Sequence, residues 1–336
     1  MPYSMQFFGN FFIHGWPYYP DGTDVNEGYS GGCIRLTTED AEQVYKFADY
    51  GTAVHVVAET LTEQKQATGQ YEVVNWKFPK VTASSYIVAD LDTGEVIVEK
   101  NKDAVRPIAS LTKLVTAVVS LEILNQFQTA TVSGEAYRTY GAQGNLQPGQ
   151  RIQVKDLLYP LLLQSSNDAA EVLAEHQNRN YFLDSMNQKA TSIGLEDTSF
   201  EDPSGLSPKN ISTAHDMFEL SRYLWQNKRY VLDVTKLKEY ENGTLSWDLI
   251  SRFKNDVDYL GGKNGYIDES GHTLIALFKV PLAEFEDRNI AIILLDSKNK
   301  EEDARELLRY SKENIFFNPA SATQVVTQNT TDEENA

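Results

Sequence analysis

"RPIASLTKLVTAVVSLEIL", residues 106–124, places one serine and one lysine at the head of a long apolar run. A run this apolar on all sides reads as a buried helix. Ser110 falls at its start, and Lys113, three residues on, shares its face. A hydroxyl is a poor nucleophile until a base removes its proton. A lysine kept neutral by burial and neighbouring positive charge can act as that base. Backbone N–H groups at a helix start also point towards a developing oxyanion.

The spacing alone is weak. Ser251 and Lys254 repeat it in "SRFK" and read as surface decoration. Two later stretches give Ser110 its weight. "LLLQSSNDAAEVLAE", residues 161–175, sets Ser165 and Asn167 at the junction of two helical runs. "YLGGKNGYIDESGHTLIALF", residues 259–278, sets Lys263 and Gly265 at the opening of a strand. S-x-x-K, S-x-N and K-x-G in that order are the signature of penicillin-binding proteins and class A β-lactamases. Ser297 and Asn299 form a stray S-x-N, but out of order.

Residues 83–317 resemble the serine D-alanyl-D-alanine carboxypeptidases, the low-molecular-weight penicillin-binding proteins. The likeness extends through "YIVADLDTGEVIVEKNKDAVRPIASLTKLVTA", residues 86–117, and "GLEDTSFEDPSGLSPKNISTAHDM", residues 194–217. It implies an α/β (α+β) serine-transpeptidase fold, an antiparallel sheet with a helical subdomain. The expected chemistry removes the terminal D-alanine of peptidoglycan stem pentapeptides through a Ser110 acyl-enzyme, with β-lactams as covalent inhibitors. By the resemblance, Lys113 takes the serine proton. Ser165 and Asn167 relay it and hold the substrate amide, and Lys263 supplies positive charge. The backbone N–H groups of Ser110 and Tyr266 form the oxyanion hole, and Asn264, Gly265 and Lys300 line the substrate end. Asn264 replaces the family's usual threonine, and Lys300 stands for a family arginine. A D,D-endopeptidase or transpeptidase using the same site is the alternative, as is a non-catalytic β-lactam-sensing or wall-binding module. No E-x-x-L-N follows the S-x-N, which argues against a β-lactamase. His215 and His272 are read as structural, and "DPSG" at 202–205 as a turn.

The chain's one cysteine is Cys33, in "YSGGCIRL", residues 29–36, with His14 upstream in "FFIHGWPYYPDG". A lone cysteine is usually a small buried hydrophobe; one paired with histidine can become a thiolate nucleophile. This segment resembles the L,D-transpeptidases, with Gly31 where that family usually has a second histidine. The likeness begins at "MPYSMQFF", which resembles the middle of that domain. Its earlier strands and an export signal are therefore expected to be missing from this chain, leaving Cys33 and His14 an incomplete catalytic pair on a mainly-β fragment.

The expected organisation is an L,D-transpeptidase fragment over 1–58, a linker over 59–82, the carboxypeptidase domain over 83–317 and a disordered tail over 318–336. Its 336 residues suit about two domains. A balance of 48 acidic against 30 basic residues, net −18, argues against nucleic acid or an anionic membrane as partner. No stretch approaches the roughly 18 apolar residues of a membrane span. One cysteine and five scattered histidines give no zinc spacing, so neither metal nor cofactor is expected. The resemblance implies an extracytoplasmic, cell-wall location.

Overall fold

The computed structural model describes residues 3–8, 11–16, 33–48, 70–73, 79–243, 245–282 and 287–318. Of the linker expected over 59–82, residues 59–69 and 74–78 lie outside these residues, as does the expected tail beyond Asn318, its first residue. At the N-terminus, β1 (Met5–Phe8) pairs antiparallel with β2 (Phe11–Gly15), which pairs in parallel with β3 (Ile34–Leu36). Thr37 caps α1 (Thr38–Phe47) by accepting the Asp40 amide.

The next described strand is β4 (Gln70–Val73), within the segment expected to be linker. It pairs with the last described strand and belongs to the fold instead. After it come β5 (Ser85–Asp90), β6 (Val96–Lys100) and the short β7 (Arg106–Pro107). A 3₁₀ turn, Ala109–Leu111, leads into α2 (Thr112–Ile123). A helical region follows. Short strands β8 (Thr129–Thr131) and β9 (Arg151–Gln153) flank α3 (Gly134–Tyr137). Then come α4 (Val154–Leu163), α5 (Asn167–Gln177) and α6 (Arg179–Ser192). β10 (Ile211–Ser212) pairs with β7 and precedes α7 (Ala214–Asn227) and α8 (Arg229–Thr235). A hairpin of β11 (Glu239–Asn242) and β12 (Leu245–Asp248) leads to β13 (Tyr259–Ile267), β14 (Gly271–Val280) and β15 (Arg288–Ser297). The last described elements are α9 (Lys300–Asn314) and β16 (Ile315–Asn318).

The main sheet has the order β13-β14-β15-β5-β6, with every neighbouring pair antiparallel. β5 thus closes against β15 from far along the chain. Successive strand residues face opposite sides. Ile87, Ala89, Ile275, Leu277, Ala291 and Ile293 pack with the helical region, whereas Tyr86, Val88, Leu274, Phe278, Ile290 and Ile292 pack with Leu307 and Tyr310 of α9. α2 is buried along all but Leu121, as its apolar sequence predicts. Each fully buried leucine or isoleucine there contributes about 1.5–3 kcal/mol.

β4 pairs antiparallel with β16, and this pair is fastened to the sheet. The Tyr71 hydroxyl donates to the buried Asp90 carboxylate, which also receives Arg288 Nε at 2.8 Å. The Arg288 guanidinium lies 4.3 Å from the centre of the Phe317 ring. Among the described residues, no helix is long and apolar enough to cross a membrane.

Candidate active site

Ser110 lies in the 3₁₀ turn and Lys113 in the first turn of α2, so the two side chains meet: Lys113 Nζ is 2.9 Å from Ser110 Oγ. Ala109, just before Ser110, has φ +48°, a left-handed conformation costing about 1–2 kcal/mol for a residue with a Cβ. Such strain persists only where the surroundings over-determine it. Here they do: Gly205 and Gly265 both press on this turn. A Cβ on residue 265 would lie 2.7 Å from the Ser110 amide nitrogen, so β13 passes directly over the serine. Only glycine permits that approach.

Lys113 is fully buried. Its Nζ is also 2.7 Å from Asn167 Oδ1 and bonded to the Ser204 carbonyl. Both of those oxygens can only accept. A neutral amine therefore directs its two N–H bonds to them and turns its lone pair to the Ser110 hydroxyl. Burial pushes the Lys113 pKa down to about 7, against the opposing pull of Asp202, Asp168 and Glu171. A base titrating there suits neutral conditions.

Ser165 joins α4 to α5 with φ +60°, a second left-handed residue beside the site. Its Oγ accepts from Lys263 Nζ at 2.7 Å, and the same amine donates to the Asn264 carbonyl. Lys263 is held well below the ordinary lysine range by burial, then by the positive charges of Lys113 and Lys300. Asn167 Nδ2 donates to the Tyr140 carbonyl at 2.7 Å, which fixes its amide with Oδ1 towards Lys113. The Asp168 carboxylate receives the Gly144 amide and so pins the same loop.

Lys263 and Gly265 lie in the interior of β13 rather than at its opening. In the ladder Lys263 stands opposite Ile275, and Gly265 opposite Thr273. Asn264 and Tyr266 stand opposite Leu274 and His272, on the face that meets α9. β13 is also an edge of the sheet. Lys300, the first residue of α9, brings Nζ to 3.2 Å from His272 Nδ1. The His272 ring lies 4.7 Å from that of Tyr266. The three serine-type motifs and Lys300 are thus gathered around one strand.

Other sequence candidates fall elsewhere. Lys254 donates to the Leu249 carbonyl, and Ser251 accepts the Phe253 amide; both serve a local turn. Asn299 of the stray S-x-N caps α9. His215 lies one residue inside α7, behind its Thr213 cap.

Sequence reasoning missed part of the site. The 202–205 segment is a turn, but also a wall. Asp202 Oδ1 receives the amides of Ser204 and Gly205 at 2.7 Å each, presenting the Ser204 carbonyl to Lys113. Asn210 ties Asp202 to Thr112 at the foot of α2. His272 was read as structural, yet it bridges Lys300 and Tyr266. An aspartate followed closely by Ser-Gly was the available signal for the first; nothing local marked the second.

At the N-terminus, His14 is buried and its Nδ1 lies 2.7 Å from the Gly15 carbonyl. That contact assigns the proton to Nδ1 and leaves Nε2 as the basic nitrogen. Cys33 is half-buried, one residue before β3, the strand beside β2. Gly31 lies outside the described residues. Among those residues, no grouping of histidine, cysteine and carboxylates could hold a metal ion.

Comparison with known proteins gives two matches along the chain. The profile of the D-alanyl-D-alanine carboxypeptidase family matches residues 72–298, and that of the L,D-transpeptidase catalytic domain matches residues 1–56. A D-alanyl-D-alanine endopeptidase of Escherichia coli is 31% identical over 239 residues, 66% of this chain and 74% of that protein. The crystal structure of a D-alanyl-D-alanine carboxypeptidase from Mycobacterium tuberculosis superposes with a TM-score of 0.62 at 27% identity, over 69% of this chain and 92% of that one. Penicillin-binding protein D2 of Listeria monocytogenes, in a cefotaxime-bound form, superposes with a TM-score of 0.61 at 26% identity, over 69% and 97% of the two chains. The match spans the serine, the lysines and the sheet that carries them, and the chain belongs to the serine D-alanyl-D-alanine carboxypeptidase family.

Proposed function

We propose that this protein is a peptidoglycan-processing D,D-carboxypeptidase whose nucleophile is Ser110. The observation that carries the reading is the fully buried Lys113 amine 2.9 Å from the Ser110 hydroxyl, with burial pushing its pKa down to about 7. Lys113 takes the serine proton as Oγ attacks the carbonyl of the penultimate D-alanine. The amide nitrogens of Ser110 and Tyr266 receive the oxyanion. Ser165, polarised by Lys263, passes a proton to the leaving D-alanine amine. Water then resolves the acyl-enzyme by the same base. The stem peptide adds along the free edge of β13, and its terminal carboxylate meets Asn264 and Lys300. β-Lactams acylate the same serine, a reading supported by the cefotaxime complex of the Listeria relative. Such substrates imply work at the cell wall.

The experiment is incubation with a stem pentapeptide, reading free D-alanine. Release that disappears in Ser110→Ala supports the proposal; no release from the intact chain overturns it. A second reading, D,D-endopeptidase, is favoured by the name of the Escherichia coli relative. Cleavage of a cross-linked stem dimer without D-alanine release from the pentapeptide would select it.

Residues 1–58 are proposed as a remnant or part of an L,D-transpeptidase, in which Cys33 as nucleophile and His14 as base form an incomplete catalytic pair. Strands β2 and β3 lie side by side, which supports that pairing. By family chemistry, the carboxypeptidase produces tetrapeptide stems and an L,D-transpeptidase uses them as acyl donors. Intact mass of Ser110→Ala exposed to a carbapenem tests the segment: slow or absent acylation of Cys33 is expected, and a fast adduct, lost in His14→Ala, would instead reveal a working second active site.

A further inference from the structure

We infer that His272 is a positioning residue, holding the Lys300 ammonium in place for the substrate's terminal carboxylate only while its own imidazole is neutral. This rests on the proposed meeting of Lys300 with that carboxylate.

The geometry is specific. Lys300 is almost fully buried at the start of α9, and its Nζ lies 3.2 Å from His272 Nδ1. An ammonium can only donate, so Nδ1 must accept, and the imidazole carries its proton on Nε2. The Tyr266 ring packs on the imidazole at 4.7 Å and immediately follows Gly265, which abuts the Ser110 amide. His272 therefore ties the cation on α9 to the strand that passes over the nucleophile.

The groups around the imidazole set the sign of its pH response. From α9 it faces Lys300 and Glu301, and Glu301 Oε1 is 3.3 Å from Lys300 Nζ. From β13 it faces Tyr266, whose hydroxyl is committed to Asp268. From β15, Ser297 stands opposite in the ladder, and Asp296 beside it is held by Arg106 and Ser84. Burial and the Lys300 charge lower the His272 pKa from its ordinary 6.5, against the pull of Glu301. Protonation turns Nδ1 from acceptor to donor and sets two cations 3.2 Å apart. Lys300 is then released towards Glu301, and the carboxylate grip weakens as pH falls.

The test uses the full chain and a peptide ending in D-alanyl-D-alanine, with its C-terminal amide as control. For the free carboxylate, KM should rise as pH falls below 6.5 while kcat follows a separate profile. His272→Ala should raise KM at pH 7.5 by roughly three- to tenfold, the worth of one hydrogen bond, with little change in kcat. His272→Asn, whose Oδ1 replaces Nδ1 as acceptor, should restore KM and abolish its acid rise. Neither variant should alter KM for the amide. Identical KM profiles in wild type, Ala and Asn would overturn the inference while leaving carboxypeptidase activity standing. A readout free of turnover is the NMR titration of the His272 ring: its midpoint should move up in Lys300→Met. An unchanged midpoint would overturn the inference even if the chain hydrolysed no peptide, the outcome that would separately remove the functional reading.

Discussion

Gly205 stands so close to Ala109 that a Cβ on residue 205 would fall 2.0 Å from the Ala109 carbonyl oxygen. Its φ is +85°, so an L side chain would be strained there as well as crowded. The wall that presents Ser204 to Lys113 is thus the wall that seats the turn of Ser110. Gly205→Ala is expected to cost about 1–3 kcal/mol of stability. By displacing Ser110, it should slow penicillin acylation on the order of a hundredfold. Thermal melting and stopped-flow acylation on the same preparation check this; a normal acylation rate would refute it.

Penicillin should label the protein once, at Ser110. Ser110→Ala should abolish the adduct, and Ser251→Ala should leave it intact, because Ser251 serves a turn with no lysine amine at its hydroxyl. Peptide mapping of the labelled protein reads the result directly.

The acylation rate should climb about tenfold per pH unit up to about 7 and then level, because Lys113, as the proposed base, accepts the serine proton only when neutral. The stability effect has the same sign. Between about 7 and 10.5 the unfolded chain keeps a proton on this lysine that the folded chain has released. This group therefore makes stability rise with pH across that window and leaves it level below 7. Lys113→Met should remove most acylation, roughly a hundred- to ten-thousandfold, while keeping or raising Tm at pH 7. A large fall in Tm would show that the amine's three contacts outweigh its burial.

Asn264 sits half-buried on the α9 face of β13, the face that carries Lys300's partner His272. If its amide helps grip the terminal carboxylate, Asn264→Thr should preserve or improve hydrolysis. Asn264→Ala should lose about 1.5–3 kcal/mol of kcat/KM for a charge-assisted bond. Equal kinetics in all three forms would remove this residue from the binding end.

Much of this was legible in sequence because the chemistry is written in short spacings. Ser110 and Lys113 are three residues apart, and the continuous apolar runs in "HTLIALFKV" and "RNIAIILLD" mark two central strands buried on both faces. What was hidden depends on contacts across long separations. Ser204 reaches Lys113 from 91 residues away, and Lys300 reaches His272 from 28 away, by backbone or ring atoms that no local pattern betrays. β4 was read as linker for a related reason. A strand of four residues carries too little alternation to be seen, and its register partner, β16, lies at the far end of the chain.

That pairing has a topological consequence. In the β4–β16 ladder Gln70 stands opposite Asn318, so the first and last described residues of this domain lie about 5 Å apart. These two positions are already almost joined. A short glycine-rich bridge from Asn318 to Gln70, with new ends opened at the unobstructed Gly149 turn, should yield a circular permutant that still takes penicillin at Ser110. Cutting the gene at residue 83 should instead strand Asp90 and Arg288 without Tyr71 and leave β16 as a bare edge.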